Sequence, residues 1–497
     1  MSAANSERAG DVSFFLTVSG YGTEDFRVVD FTGEDRLNGD YAFRVTVLSR
    51  KDPLHPKEFL GRDATFTIES RREGPAVKTP YHGMIGEFEV VRQVFEETEY
   101  RATLVPRLAR LNLSEFSEVY TLERDIPGLL EEVLKEAGFT SQDYQFKIVD
   151  GGRQRSFVCQ YRESPRQFLD RWTEREGIVY YFDHSGEKER VIFYDQPHQK
   201  PSWNRSLVFR PPGDLDIGFS DDTLVEWTET ARPIPGKVVV QDFNYRKANL
   251  EIREEEELDP REKTLVEEVG DNLRTSAEAK RQARRLSEMI RCRERMFSGT
   301  CSATGIRAGS TVRVKGHFRE EMNTSFFVVR ARFEGTVKTP TSGTESGPGQ
   351  GRFATFFDAI LADRPFRPER KTPWPQVSGV VHAIVEAEGS GRFAELNEYG
   401  EYKIRFPFAL TKRKSQKGSG WVRLATPLAG ADNGMHFPLR KETEVLVAFL
   451  GGDPDQPVIV GALHNSEGRN LVSNRNPQEN LLRSAGGHFI MFDDGNL

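Results

Sequence analysis

Cysteine is scarce in this chain of 497 residues, and its three cysteines, Cys159, Cys292 and Cys301, are scattered. Their number is odd and none forms a C-x-x-C pair, which argues against a secreted disulfide scaffold and a zinc ribbon. Long apolar runs are also missing: no stretch reaches the ~18 residues of a membrane-spanning helix, and the N-terminus has no signal-peptide core. The sequence therefore predicts synthesis in the reducing cytosol, and any export by a route without a cleaved signal.

Excess positive charge and recognisable catalytic motifs are missing as well. The net charge of -7 argues against a general nucleic-acid binder, which is usually basic over a whole domain. The nine histidines contain no H-E-x-x-H pair. Gly347, Gly349 and Gly351 imitate a phosphate loop but lack the Lys and Ser/Thr that should follow, so a flexible loop is the better interpretation. The sequence predicts no catalytic residue, no cofactor and no metal.

Strand-forming residues are abundant, with 35 Phe and 13 Tyr against only 7 Met. Alternating or continuous apolar segments bounded by turn residues fill the first third and recur later, so we expect a mainly β protein with some α. Three helices are predicted, at 126–137, 164–177 and 275–291. The third begins with a capping box formed by Thr275 and Glu278.

The C-terminal quarter has a different organisation. Residues 364–376 contain four prolines and predict an extended tether. Five short strand candidates follow, VSGVVHAIV, YKIRFPF, WVRLA, TEVLVAFL and QPVIVGAL, with no helices at regular intervals between them. This pattern is typical of a small Greek-key barrel of the OB type.

A rigid turn joins the last two of these strands. Gly451 and Gly452 allow positive φ, Asp453 can bond to its own backbone, and Pro454 fixes φ before Asp455. Paired carboxylates could in principle cleave glycans, but two acids inside so tight a turn favour a structural role.

Three further groups could carry chemistry. Cys159 could act as a nucleophile with His184, but its apolar neighbours favour a small buried side chain. The acidic run Glu254–Glu257 could bind cations, although such runs are more often solvated faces. The basic loop LTKRKSQKG, residues 410–418, could bind a single strand but contains no aromatic stacking partner, so a solvated or inter-subunit loop is favoured.

Five long segments carry a family resemblance. Residues 158–184, VCQYRESPRQFLDRWTEREGIVYYFDH, are similar to a QYRES…EEGIYYYFEH segment, and the other four are YRATLVPRLARL, FRPERKTPWPQVSGVV, WVRLATPLAGADNG and EVLVAFLGGDPDQPVIVGALHN. In these segments, which keep their order over almost the whole length, the chain resembles the VgrG family. These are the trimeric spike proteins of type VI secretion systems, related to the baseplate hubs of contractile phages.

The resemblance implies three regions. Residues 1–372 would form a phage-hub-like head of tube-type β-barrels with helical insertions, and residues 373–465 an OB-fold neck. Residues 466–497 would form a connector and the start of a β-helix needle, of which only the prelude HFIMFDD is present. We therefore expect a sequence truncated before the needle repeats. Glu401 departs from the family, in which a basic residue is frequent at this position.

The resemblance also implies a mechanical role in place of catalysis. Three copies would form a homotrimer whose two barrels per subunit match a hexameric ring of the tube protein (Hcp), with baseplate proteins beside it. A PAAR-type tip protein and effectors would bind through the missing C-terminal part, and the spike would puncture target membranes to deliver the effectors. The assembled protein would be cytoplasmic and then secreted by the type VI machine.

Three alternatives stay open at this point. A hub of a phage or of an extracellular contractile injection system would share the fold and the mechanism. A peptidoglycan hydrolase is disfavoured because the connector SEGRNLVSNRNPQEN leaves no room for the lysozyme domain that related phage spikes carry after the barrel. An OB-fold nucleic-acid binder is disfavoured by the charge of the chain.

Overall fold

The computed structural model describes residues 12–51, 53–70, 76–121, 124–210, 223–337, 351–387, 391–409 and 419–495. Two of the loops discussed above, Gly347 with Gly349 and the basic loop 410–418, lie outside the described residues. Gly351 is the first residue of a strand.

The strands of the first 372 residues are β1 Val12–Val18, β2 Arg27–Arg36, β3 Ala42–Ser49, β4 Asp63–Ser70, β5 Val77–Val94, β6 Glu97–Val105, β7 Phe116–Tyr120, β8 Tyr144–Lys147, β9 Val158–Glu163, β10 Val179–Asp183, β11 Arg190–Tyr194, β12 Asn204–Phe209, β13 Thr223–Ala231, β14 Lys237–Asp242, β15 Ile252–Glu257, β16 Leu265–Val269, β17 Arg295–Cys301, β18 Thr311–Lys315, β19 Ser325–Val337 and β20 Gly351–Leu361. Those that follow are β21 Val380–Glu386, β22 Lys403–Arg405, β23 Arg423–Leu424, β24 Ala429–Gly430, β25 Asn433–Gly434, β26 Glu444–Phe449, β27 Pro457–Leu463, β28 Glu479–Arg483 and β29 Phe489–Asp493. The α-helices are α1 Pro56–Phe59, α2 Ile126–Glu136, α3 Pro165–Glu176 and α4 Ser276–Arg291.

The chain divides into two compact units. The large unit contains Met1–Leu113, Leu130–Gly151 and Leu169–Thr372, and the small unit contains Ser114–Leu129, Gly152–Phe168 and Pro373–Leu497. One boundary falls between Thr372 and Pro373, inside the proline-rich segment. The division also assigns β7 and β9 to the small unit, an association for which the sequence gives no local signal.

A closed barrel forms the second half of the large unit. Its six strands pair in the order β19-β18-β12-β13-β17-β20, and β20 returns to pair with β19 along its whole length. Alternation places Trp227, Phe297 and Phe326 inside, where the ring of Phe326 lies 4.7 Å from that of Trp227 and 4.6 Å from that of Phe297. Burial of these aromatic rings is the main stabilising contribution of the interior.

The first half of the large unit is a half-barrel, with the strand order β1-β4-β5-β6-β3-β2 and a junction from β2 to β19. The long ribbon of β19 and β20 therefore serves both assemblies. The buried ring of Phe31 lies 4.8 Å from Phe14 and 4.6 Å from Phe66. The prediction of tube-type barrels is confirmed for the closed barrel, whereas the first one is open. Within the described residues, β1 has a ladder partner on one side only, and its Phe14 instead packs against Phe353.

Two smaller sheets carry the helical insertions. The strands β10 and β11 form a hairpin, and β8 joins β11 in parallel. The other sheet has the order β15-β14-β16, and α4 packs on it through Val238, Val240, Ala279, Ala283 and Leu286. The Thr275 hydroxyl accepts a hydrogen bond from the Glu278 N–H (3.2 Å), so α4 begins at the predicted cap.

The five strands predicted for the C-terminal barrel form one sheet of the small unit, in the order β22-β21-β26-β27-β23. Reciprocal backbone hydrogen bonds between Tyr402 and Val422, 2.9 and 2.8 Å long, join the two ends of the sheet. The sheet therefore closes around a core that includes Val385, Ile404 and Val447. The prediction of a small OB-type barrel is confirmed.

Candidate functional site

The turn Gly451–Asp455 connects β26 to β27. Gly451 and Gly452 have φ values of 61° and 77°, which glycine adopts without a steric penalty. A Cβ on Gly452 would also lie 2.2 Å from the side-chain oxygen of Gln376. The Gly452 carbonyl accepts a hydrogen bond from the Val377 N–H (2.9 Å). Glycine is therefore required at position 452 both by its positive φ and by the close approach of residues 376–377. Pro454, which lies between the two acids in the sequence, is buried.

The carboxylate of Asp453 gathers three donors. Its Oδ1 accepts from the indole N–H of Trp374 and from the backbone N–H of Asp455, each at 3.0 Å. Its Oδ2 accepts from the Gln456 side-chain amide at 2.9 Å. The side chain is buried, and a buried carboxylate is stable only when its oxygens are bonded in this way.

Asp455 binds a segment that is distant in sequence. Its Oδ1 accepts a hydrogen bond from the backbone N–H of Cys159 (2.6 Å), within β9. Cys159 is fully buried in the core of the small unit, together with Val119 of β7. The turn therefore holds both the first residues of the barrel and the β7–β9 ribbon.

Arg367 fixes the proline-rich segment to the large unit. Its buried guanidinium bonds the Glu288 carboxylate at 2.7 Å, the Gly177 carbonyl at 2.8 Å and the Asp195 carbonyl at 2.7 Å. These acceptors belong to α4, to the end of α3 and to the end of β11. A charged group that is so deeply buried is stable only because each partner is in place.

Glu174 fixes the end of the same segment. Its carboxylate accepts from the backbone N–H groups of Lys371 (3.0 Å) and Thr372 (2.9 Å) and from the Thr372 hydroxyl (3.0 Å). The segment contains no helix, as predicted, but the expectation of a tether is wrong for its first part. The carboxylates of Glu174 in α3 and Glu288 in α4 hold residues 367–372 in place. The number of prolines in the segment gives no information about these partners.

Cys159 and His184, the two candidates for thiol chemistry, belong to different units, and each contacts a residue of its own unit. The Cys159 thiol faces the Gln160 carbonyl at 3.7 Å in the small unit. In the large unit, the Nδ1 atom of buried His184 accepts a hydrogen bond from the His82 backbone N–H (3.0 Å). Burial, with a contribution from Arg307, holds the pKa of His184 well below its ordinary value, so the imidazole is neutral and fixed as an acceptor.

Two other buried acids of the large unit, Asp35 and Glu189, also have structural roles. Burial raises the pKa of Asp35 to about 6, and its carboxylate accepts from the Ala308 N–H at 3.1 Å. Burial raises the pKa of Glu189 to about 7, and its carboxylate accepts from the Arg107 N–H at 2.8 Å. Both acids hold backbone segments, and hydrogen bonding to backbone amides accounts for their positions.

The acidic run Glu254–Glu257 forms most of β15. Glu255 is exposed and pairs with Lys237 at 2.8 Å and with Arg253 at 2.7 Å. The buried Glu401, the position that departs from the family, accepts a hydrogen bond from the Asn397 side-chain amide at 2.6 Å. Across the described ranges, no cluster of three or more His, Cys, Asp or Glu side chains could hold a metal ion.

An uncovered apolar hairpin ends the described part of the small unit. β28 and β29 pair with each other alone, with Leu482 opposite Ile490 on one face and Leu481 opposite Met491 on the other. Phe489, Ile490 and Phe492 are 60%, 56% and 67% exposed. A two-stranded hairpin is marginally stable at best by itself, and contiguous apolar exposure on both faces indicates a surface that a partner covers.

Comparison with known families accounts for this architecture. The family described as phage tail baseplate hub (GPD) matches residues 34–339, and the type VI secretion system/phage-baseplate injector OB domain matches residues 396–464. A ribbon-sharing pair of barrel assemblies followed by an OB barrel is thus the architecture of a baseplate hub. The chain belongs to the phage tail baseplate hub family.

Curated relatives confirm the resemblance to VgrG proteins. The chain is 26% identical over 447 residues to the type VI secretion system spike protein VgrG1a of Pseudomonas aeruginosa, covering 88% of this chain and 67% of the relative. It is 27% identical over 481 residues to the spike protein VgrG3 of Vibrio cholerae, covering 92% of this chain and 45% of the relative. The chain therefore spans between about half and two thirds of these two proteins.

Solved structures show the same fold. The Escherichia coli c3393 protein, a component of the type VI secretion system, superimposes with a TM-score of 0.64 at 18% identity, covering 90% of this chain and 99% of that one. A chain of the Francisella PdpA–VgrG complex gives a TM-score of 0.62 at 10% identity, with coverages of 98% and 84%. In the part of this chain that the structure describes, no helix is both long and apolar enough to cross a membrane.

Proposed function

We propose that this chain is one subunit of the homotrimeric spike of a type VI secretion machine. Its head docks on the hexameric ring of the tube protein (Hcp), and the spike punctures target membranes to deliver effectors. Residues 1–372 are the head, apart from the segments with β7 and β9 that belong to the small unit. Residues 373–465 are the OB-fold neck, and residues 466–497 are the connector and the first hairpin of the needle. The relatives named as spike proteins support this assignment over nine tenths of the chain.

The uncovered hairpin is the observation that carries the proposal. Fully burying a large apolar side chain contributes roughly 1.5–3 kcal/mol, and β28 and β29 expose five of them: Leu482, Phe489, Ile490, Met491 and Phe492. Two further copies of the same hairpin, related by a three-fold axis, would cover both faces and pair the open edges. The interface expected for such an obligate assembly is on the order of thousands of Å².

The number of barrel assemblies in the head is consistent with docking on a six-fold ring. Each subunit offers two barrel assemblies that share the β19–β20 ribbon, one closed and one half-barrel. Three subunits then present six assemblies, which matches the symmetry of a hexameric tube. Baseplate proteins would surround this ring, and a PAAR-type tip and effectors would attach beyond the needle.

The proposed role is mechanical in place of catalytic. Asp453 and Asp455 are buried and hydrogen-bonded, so we assign the turn Gly451–Asp455 to holding the neck barrel together. The protein would assemble in the cytoplasm and leave the cell with the machine.

The hub of a phage or extracellular injection system is the second candidate, favoured by the hub family that matches residues 34–339. The neighbouring genes test this choice, because capsid genes beside this one would favour the phage hub.

The hairpin variant Ile490→Glu/Phe492→Glu is expected to convert the trimer to monomers. Charges placed at the centre of an apolar three-fold contact are desolvated and lie near their symmetry copies, which opposes association. The molar mass from light scattering should fall about threefold, with the circular dichroism of the barrels retained.

The matched control is Ser466→Glu/Asn474→Glu, which adds the same charge to exposed positions of the connector. This control should keep the mass of the unmodified chain. Trimers that persist in the hairpin variant would place the subunit interface elsewhere and remove the main support for the proposal.

A further inference from the structure

The small sheet β15-β14-β16 has two edges of different character. On the β15 edge, the exposed residues Arg253, Glu255 and Glu257 are all charged, which protects an edge from pairing with other chains. The other edge is β16, with the sequence LVEEV. There Leu265 and Val269 are 53% and 64% exposed. The β16 edge is therefore less protected than the β15 edge.

The backbone of β16 offers free hydrogen-bonding groups on that edge. The Thr264 carbonyl accepts from the Lys237 N–H (3.2 Å), and the Gly270 N–H donates to the Gln241 carbonyl (3.3 Å), so both residues face β14. Because successive residues of a strand direct their amides to opposite sides, Leu265, Glu267 and Val269 direct theirs outward. No strand pairs with this side within residues 223–337, all of which are described.

The side chains of the same three residues define a pattern. Because alternate residues share a face, Leu265, Glu267 and Val269 form an apolar–acidic–apolar row along the edge. Glu267 is exposed, and its Oε1 accepts a hydrogen bond from the Gln241 side-chain amide (2.8 Å) of β14. The surroundings are acidic, with ten acids against three bases between residues 251 and 271.

These features decide the kind of partner. Glu268 is ion-paired with Arg370, so Glu267 is the acid that a partner strand meets. A second copy of β16 would bring its own Glu267 against that of the first copy, and like charges opposite each other destabilise a strand pair. A strand with an apolar–basic–apolar row would instead place its cation against Glu267 and its apolar side chains against Leu265 and Val269. Charge complementarity therefore favours a basic strand from a different protein.

We propose that the free edge of β16 is a docking site for an extended segment of another protein chain, added as a fourth strand. The segment carries apolar, basic and apolar side chains at alternate positions. Backbone hydrogen bonds to Leu265, Glu267 and Val269 give the affinity, and the acid at Glu267 selects the charge. The proposal goes beyond the tube, tip and trimer contacts of the proposed function and does not rest on them.

A labelled peptide with the pattern Thr-Val-Thr-Lys-Thr-Val-Thr tests the site by fluorescence anisotropy with the full chain. The lysine peptide should bind saturably, and the same peptide with glutamate at the centre should bind at least tenfold more weakly. The variant Glu267→Lys should reverse that preference. Glu257→Lys on the β15 edge is the matched control and should leave both affinities unchanged.

The variant Glu267→Pro isolates the backbone contribution. Proline removes one outward N–H of β16 without removing a hydrogen bond to β14, a position that edge strands tolerate. It should abolish binding of both peptides while the melting temperature changes little. The charge-swapped pair, Glu267→Lys with the glutamate peptide, keeps the proposal testable if the proline variant does not fold.

Three results would overturn the proposal: no saturable binding of the lysine peptide, equal binding to Glu267→Pro, or equal loss of binding in Glu257→Lys. Hydrogen exchange adds a fourth. The amides of Leu265, Glu267 and Val269 should exchange rapidly in the purified protein and slowly with the lysine peptide present. Slow exchange without the peptide would mean that another copy of the chain already covers the edge.

Discussion

Replacing Arg367 by alanine is expected to destabilise the large unit by about 3–5 kcal/mol, the cost of breaking a buried ion pair from one side. The substitution removes the buried partner of the Glu288 carboxylate, at 2.7 Å, and leaves it only the 2.9 Å ion pair with the exposed side chain of Arg284. It also removes the donor to the Gly177 and Asp195 carbonyls. Chemical denaturation followed by tryptophan fluorescence should show an earlier first transition.

Arg364→Ala is the matched control for this prediction. Arg364 lies three residues away in the same proline-rich segment and is exposed, so its loss should change stability by no more than about 0.5 kcal/mol. A second variant, Arg367→Lys, keeps the charge but cannot reach three acceptors at once, and should fall between the two. Equal stability of Arg367→Ala and Arg364→Ala would show that the segment is not fixed to the large unit through this guanidinium.

Replacing Asp453 by alanine is expected to destabilise the small unit by about 2–4 kcal/mol, because buried donors lose their acceptor. The indole N–H of Trp374 and the backbone N–H of Asp455 both bond Oδ1 at 3.0 Å. Loss of this carboxylate frees the first residues of the barrel together with the turn. The unfolding transition of the neck barrel, followed by circular dichroism, should move to lower denaturant.

Asp453→Asn separates the turn role from a catalytic one. The amide oxygen can still accept from Trp374 and Asp455, so this variant should lose clearly less stability than Asp453→Ala. Glu398→Ala removes an exposed acid of the same unit and should be nearly neutral. Clearing of cell-wall suspensions by the unmodified chain, abolished in Asp453→Asn, would contradict the structural assignment of the turn.

Local signals in the sequence were sufficient for most of the individual elements. The Thr275/Glu278 box predicted the start of α4 to within one residue because both capping partners are close in sequence. The five strands of the neck were found from apolar runs between turn residues. Their closure through Tyr402 and Val422 followed from the barrel class and not from either residue.

Contacts between distant residues were not accessible in the same way. The bond from the Cys159 N–H to Asp455 connects residues 296 positions apart, so nothing near either residue predicts that β7 and β9 join the neck barrel. The attachment of the proline-rich segment depends on Glu174 and Glu288, two helical acids that resemble ordinary surface residues in sequence. The turn residues Gly451–Asp455 were identified early because φ and hydrogen-bond preferences are local properties.

The free edge of β16 shows an intermediate case. The apolar and acidic residues at 265–269 and the excess of acids around them can be read from the sequence. Which edge of which sheet these residues occupy is a question of topology, and the order β15-β14-β16 answers it. Sequence pattern and strand order together therefore indicate a docking surface that neither indicates alone.

Three-fold association of the chain is the central requirement of the proposed function. Size-exclusion chromatography with multi-angle light scattering, at micromolar concentration and physiological salt, measures the mass without any label or partner. A spike subunit predicts a single species at three times the chain mass of 56.5 kDa. A species at 56.5 kDa that persists as the concentration rises would contradict the proposed spike.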